Sequence, residues 1–193
     1  MIDGFYKIEN IFTREQREKL IEDSQPLFVS GKQLFEYNCA NSNNIQNHYA
    51  LGSQEGFKWF RITHPTLHLH SKFDWAHKII LSKIKKVTGI DYQFGESWMN
   101  TSNGDNKLRI WHNHGEYDYV GVYYLKMLPF FSNGTLFKNH GLVKAKENSL
   151  LLFPSHMDHS TPSSPLRFKR YSWAINLNIK KDLVNGSNEG RTA

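Results

Sequence analysis

A single cysteine, Cys39, stands among 193 residues. One thiol forms no internal disulfide, which suits a reducing compartment, and it rules out a structural zinc site built on several thiolates. No apolar run approaches the roughly 18 residues needed to span a bilayer, so no membrane partner is expected. The opening MIDGFYKIEN lacks a basic segment followed by an apolar one. No secretory signal is visible in it, and a cytoplasmic setting is the expectation. No internal repeat is visible either.

What is present is enough to fold. Hydrophobic residues make up 39% and aromatics 14%, too apolar a mixture for a disordered chain. The length fits one domain with a real core. Net charge is +6, which permits nucleic acid or an acidic partner without requiring either. The basic residues are scattered. Their densest cluster, Lys83, Lys85 and Lys86, falls on an expected helix and reads as a solvated face.

Taken in order, GFYKIENIF at 4–12 reads as a short strand. Thr13 with Gln16 forms a capping box for a helix reaching about Asp23. From Ser24 to Gly56 the chain is rich in Asn, Gln, Ser and Gly and reads as loop, with one short strand at LFEYN. A segment from Thr66 or Ser71 to Thr88 carries Phe73, Ala76, Ile80, Ile84 and Val87 at helical spacing and ends at Gly89. His68, His70 and His77 belong to this region and are expected on the helix surface, since no facing carboxylate accompanies them.

After Gly89 the period becomes two. Strands are expected at Tyr92 to Asn100, Val120 to Leu125, Gly134 to Phe137, Gly141 to Lys144, Leu150 to Phe153 and Arg170 to Ile179. TSNGDN reads as a turn and Met127 to Asn133 as a loop. Short strands at such intervals argue for a sandwich or jelly roll. The fold class is therefore mainly β with N-terminal helices. One domain covers 1–180, helical to about 89 and β from about 90, with a polar tail over 181–193.

Two stretches carry the chemistry. RIWHNHGEYDYVGVYYL, from Arg109 to Leu125, holds His112, His114, Glu116 and Asp118 within seven residues. In an extended chain those four share one face. LFPSHMDHSTPSSPLRFKRYSWAINL holds His156 and His159, then Arg170 and Ser172. Imidazole with carboxylate suits a divalent first-row metal, and two His with one carboxylate is the facial set of non-haem Fe(II) oxygenases. His156 reads as a surface loop residue, and Arg167 and Lys169 as solvent-facing.

The run Trp98-Met99-Asn100, then HNH, GVYYL, NSLLLFPS, His159 and RYSWAINL resembles the phage and bacterial 2-oxoglutarate/Fe(II) oxygenases, relatives of the prolyl-hydroxylase-like group. The likeness covers about residues 94 to 178. It implies a double-stranded β-helix (a cupin-like jelly roll) holding Fe(II), with 2-oxoglutarate on the metal and on a basic residue. In such enzymes a distal His precedes the cosubstrate-binding Arg, the order of His159 and Arg170. A guanidinium pairs both oxygens of a carboxylate, and Ser172, two residues on, adds a second donor on the same face. Asn100 and Tyr123 are assigned to the same cavity, and Tyr124 and Asn176 are further candidates for its wall.

The proximal ligands depart from the family's HxD. His114-x-Glu116 preserves an anionic ligand, and His112-x-His114 gives a three-His site of the cupin-like kind. The expected metal group is His114, Glu116 and His159, with His112 as a ligand or its neighbour. With one carboxylate and a dianionic cosubstrate, Fe(II) is close to charge balance, which limits the cost of enclosing it. The implied activity is a dioxygenase that uses O2 to hydroxylate a C–H bond of a small-molecule or peptidyl substrate, a prolyl or other amino-acyl residue leading by analogy. The alternatives are a three-His metalloprotein that does not use 2-oxoglutarate and a non-catalytic jelly-roll binding module. Nucleic acid is not favoured as substrate, because the chain lacks the second arginine associated with demethylases of this group.

Overall fold

The computed structural model describes residues 4–30, 33, 60–102, 111–128, 134–162 and 169–181. The expected strand at LFEYN, most of the Ser24 to Gly56 loop, the NGDN turn and the polar tail lie outside them. Strand β1 spans Tyr6–Glu9 and helix α1 spans Arg14–Ser24. The Thr13–Gln16 capping box is present: Gln16 N–H donates to Thr13 Oγ1 at 3.2 Å and Thr13 N–H to Gln16 Oε1 at 2.8 Å. A 3-10 turn, Gln25–Leu27, leads to β2, Val29–Ser30, so the chain after α1 is not all loop. After β3 (Phe60–Ile62) come two more 3-10 turns, Leu67–Leu69 and Ser71–Phe73, and then α2, Asp74–Thr88.

Helix α2 ends at Gly89, whose φ of +75° closes the last turn in the left-handed region that glycine enters without cost. Its buried stripe is Ala76, His77, Ile80 and Ile84, continuing Phe73 just before it. Val87 is 48% exposed and is not part of it. His77 is a correction: it is only 6% exposed, not on the surface. Position 77 falls four residues after Phe73 and three before Ile80, which is the core side of the helix. Its ring packs on Trp173 and Phe94 at 5.1 and 4.8 Å between centroids. His68 is half-buried and His70 exposed.

The remaining strands are β4 (Tyr92–Ser102), β5 (Tyr119–Lys126), β6 (Gly134–Phe137), β7 (Gly141–Lys144), β8 (Ser149–Pro154), β9 (His159–Ser160) and β10 (Arg170–Ile179). They form a seven-stranded sheet in the order β1-β8-β5-β10-β4-β3-β2 and a three-stranded sheet in the order β7-β6-β9. The named pairings are all antiparallel.

Strand alternation gives the large sheet two different faces. Trp173, Ile175, Leu177, Tyr123, Leu125, Leu150 and Leu152 pack toward both helices. Val120, Tyr124, Leu151 and Phe153 pack on the other side with Phe137 and Val143 of the small sheet. Both faces of β8 and β10 are buried; β8 accordingly reads as a nearly continuous apolar run, whereas β10 alternates and turns its polar residues inward. Each fully buried large side chain contributes roughly 1.5–3 kcal/mol, so the central strands form a rigid base for what lies between the sheets.

Candidate metal centre between the two sheets

The segment from His112 to Asp118 crosses from the small sheet to the large one. At its start, His112 forms an isolated antiparallel bridge with His159. His159 is in turn paired through β9 to Phe137 of β6. Two residues later His114 N–H donates to Ser155 O at 2.8 Å, at the end of β8. Tyr117 N–H then turns back to His114 O at 3.0 Å. Asp118 is fixed on the large sheet, its N–H donating to Leu177 O at 3.0 Å and its Oδ2 accepting from Ile179 N–H at 2.7 Å.

This crossing brings three imidazoles together. One ligand atom from each of His112, His114 and His159 lies within 4.8 Å of the others. Ring centroids are 4.4 Å apart for His112 and His159, 5.2 Å for His112 and His114, and 5.4 Å for His114 and His159. His159 is buried, His114 half-buried and His112 exposed, so the group opens to solvent on one side.

Glu116 is exposed and does not belong to this group. The extended period that would align it with His112 and His114 stops at His114, because residues 115–118 form a turn. Asp118 is likewise spent on the backbone of β10. His156 is exposed, as expected.

Burial pushes the His159 imidazole down to about 3 and the His114 imidazole down to about 4, and the neighbouring His112 adds to both. Both rings are therefore neutral at pH 7, the state a metal ligand requires. His159 Nδ1 lies 2.9 Å from Met157 O. A neutral ring donates there from Nδ1 and leaves the Nε2 lone pair free, the usual orientation of a ligating histidine. Phe153 and Trp98 wall the group, at 4.9 Å from His159 and 5.7 Å from His114. The donor set fits a divalent first-row ion: three imidazoles on backbone-paired segments, against an aromatic wall.

A second set of polar groups lies on the same inner face. Arg170 is half-buried, its Cζ 5.4 Å from the centre of the Tyr124 ring, and burial lowers its pKa from the ordinary value. Arg170 Nε is buried without a hydrogen-bond partner, as is Asn100 Oδ1. Ser172 is the next inward residue of β10 and pairs with Asn100 on one side and Tyr124 on the other. The Tyr124 hydroxyl is 2.6 Å from Thr135 Oγ1. The unpartnered Nε–H of a half-buried guanidinium is a donor that an enclosed carboxylate would satisfy.

Tyr123 is the exception among the residues assigned to this cavity. It points to the helix side, where its hydroxyl donates to Asn148 Oδ1 at 2.8 Å and its ring meets Phe12. A period of two sends neighbours to opposite faces, so Tyr124 takes the inward place. In a strand buried on both faces nothing in the residue types distinguishes the two tyrosines. Thr135, Trp98 and Glu96 also reach this face; Trp98 belongs to the run that carries the resemblance, while Thr135 and Glu96 carried no signal of their own in the sequence.

No protein-family profile and no curated protein matches the chain. Solved structures do. HygX from Streptomyces hygroscopicus, with nickel and 2-oxoglutarate bound, superposes with a TM-score of 0.60 at 13% identity, over 91% of this chain and 82% of that one. The viral collagen prolyl hydroxylase of Paramecium Bursaria Chlorella virus-1, as its 2-oxoglutarate complex, gives 0.58 at 12%, over 93% and 98%. The fold is that of the 2-oxoglutarate/Fe(II) oxygenases. The epimerase SnoN from nogalamycin biosynthesis gives 0.59 at 9%, over 91% and 77%, so this jelly roll carries more than one outcome of related chemistry. Among the described residues, no helix is long and apolar enough to cross a membrane.

Proposed function

We propose that the protein is an Fe(II)- and 2-oxoglutarate-dependent dioxygenase that oxidises a C–H bond of its substrate. The observation that carries this is the meeting of His112, His114 and His159 within 4.8 Å, at the opening of a fold that solved 2-oxoglutarate oxygenases share. In this reading the three histidines hold the metal. Arg170 pairs with the far carboxylate of 2-oxoglutarate, and Ser172 and Asn100 border the same carboxylate. Tyr124 and Thr135 brace the guanidinium from the side. Bound there, iron and its cosubstrate supply O2 activation, with 2-oxoglutarate going to succinate and CO2 as the substrate carbon is oxidised. The chain's own part is to hold three imidazoles in place, exclude water with Phe153, Phe137 and Trp98, and position the substrate at the open His112 side.

A prolyl or other amino-acyl residue is the leading substrate by analogy with the viral hydroxylase, and a small molecule is the alternative by analogy with HygX and its bound hygromycin B. Three neutral histidines with dianionic 2-oxoglutarate also leave Fe(II) charge-balanced without Glu116. The deciding experiment is anaerobic titration with Fe(II) and 2-oxoglutarate, watching for the metal-to-ligand charge-transfer band. The band should form in the wild type and be lost in His159→Ala and in Arg170→Ala; a band unchanged by both substitutions defeats the assignment.

The all-histidine group favours one competing reading, a three-His metalloprotein that uses no 2-oxoglutarate. It requires metal-dependent activity to survive Arg170→Ala, whereas the dioxygenase reading requires succinate formation to stop.

A further inference from the structure

The amide of Asn176 lies between a carboxylate and one of the three histidines. Asn176 is completely buried. Its Nδ2 donates to Glu96 Oε2 at 3.1 Å and stands 3.4 Å from His114 Nδ1. The residues face each other because β4 and β10 pair Glu96 with Asn176, and the register then skips Gly95. That skip leaves Gly95 under the ring of Tyr117, where a Cβ would come within 2.3 Å of Cε1. The Tyr117 phenol joins the same cluster beside Glu96 and Asn176.

A carboxylate only accepts hydrogen bonds, so Glu96 holds the NH2 end of the amide toward itself. The second N–H of that nitrogen then faces His114 Nδ1, which has to accept. A neutral His114 in this arrangement carries its proton on Nε2. Binding a metal through Nε2 requires the other tautomer: the Nε2 proton leaves to solvent and Nδ1 takes one up. Nδ1–H then needs an acceptor. Asn176 Oδ1 is buried without a partner, and a half-turn of the amide brings it to that place at the expense of the bond to Glu96.

We propose that Glu96, acting through Asn176, sets the tautomer of His114 and thereby how readily that histidine takes up a metal. The inference rests on reading His114 as a ligand through Nε2. It also supplies what the histidine group lacks, an anionic side chain joined to a ligand by one intervening amide. Outer partners of this kind tune how readily a histidine binds its metal.

The test needs neither metal nor cosubstrate, so its outcome is separate from that of the Fe(II) titration. Long-range 1H–15N spectra of the full-length, metal-free protein at neutral pH report the tautomer of each histidine, with His114 assigned by its loss in His114→Gln. The wild type should show His114 as Nε2–H. Glu96→Gln replaces a group that only accepts by one that both accepts and donates, which frees the Asn176 amide to turn over, so His114 should move toward Nδ1–H by about tenfold in ratio, the worth of one hydrogen bond. In an Asn176→Leu background, Glu96→Gln should have no effect. An unchanged tautomer in Glu96→Gln, an effect that persists without Asn176, or a shift produced by Tyr117→Phe alone each overturns the proposal. Should Asn176→Leu not fold, Glu96→Gln against the wild type still decides it.

Discussion

His112 and His159 exchange both backbone hydrogen bonds, His112 N–H to His159 O at 3.1 Å and His159 N–H to His112 O at 2.9 Å. This two-residue bridge, 47 positions apart in the chain, aligns the two rings without any help from a metal. Binding an ion there closes a bridge that already exists, so little ordering cost remains. Metal should therefore stabilise the folded state strongly. With free Ni(II) at about 100 times its dissociation constant, the gain is about 2.7 kcal/mol, read as a rise in the melting temperature. His159→Ala should remove the rise.

Arg170 starts β10, and Asn176, which touches His114, lies further along the same face of that strand. Arg170→Ala should weaken 2-oxoglutarate binding by roughly 10- to 100-fold, the loss of a charge-assisted pair, with Ni(II) affinity unchanged. Arg170→Lys should restore only part, because an ammonium lacks the planar fork. Isothermal titration of metal and of cosubstrate, taken separately, checks both statements. Equal loss of both affinities would mean that the wall itself had collapsed.

His77 should make the fold acid-sensitive. Burial pushes its imidazole down to about 4, against an ordinary value of 6.5, with Asp74 opposing and His68 adding to the shift. The unfolded chain therefore binds the proton more readily than the folded one. The stability contributed by the neutral ring is complete above pH 6.5 and is lost as pH falls from 6.5 toward 4. The full difference is roughly 3 kcal/mol. His77→Phe keeps the contacts with Trp173 and Phe94 and should flatten the urea midpoint across that window. His68, His114 and His159, shifted in the same direction, leave a residual slope.

Asn148 ties the N-terminal segment to the large sheet. It adopts φ +62°, a conformation Asn tolerates better than most residues. Its side chain accepts from Phe12 N–H at 3.0 Å and from the Tyr123 hydroxyl at 2.8 Å, and donates to Phe12 O at 2.8 Å. Asn148→Ala leaves these groups unsatisfied and strains the turn, at a cost of about 2–4 kcal/mol. Denaturant unfolding measures it. A change below about half a kcal/mol would show that water replaces the amide.

Several elements were legible from residue types alone. Thr13 with Gln16 marked the start of α1, Gly89 the end of α2, and the alternation from Arg170 to Ile179 marked β10 to the residue. These are local: caps, a left-handed glycine and a period of two depend on neighbours within a turn or a pleat. His77 was misplaced because a histidine on an apolar stripe is decided by what faces it, here Trp173 and Phe94. Tyr123 was misplaced because β5 is buried on both faces and offers no polar alternation to set the phase.

The sequence by itself determined six of the seven strands from β4 to β10, all but the two-residue β9, the C-terminal end of α2 and the candidate residues: four histidines, two carboxylates and one arginine in two stretches. Only the tertiary structure decided which of them meet. A turn after His114 sends Glu116 to solvent and Asp118 to the backbone of β10, while the bridge to His159 recruits His112. The physical reason is distance along the chain: a turn and a two-residue pairing cost little locally, and their outcome is settled by the two sheets they join.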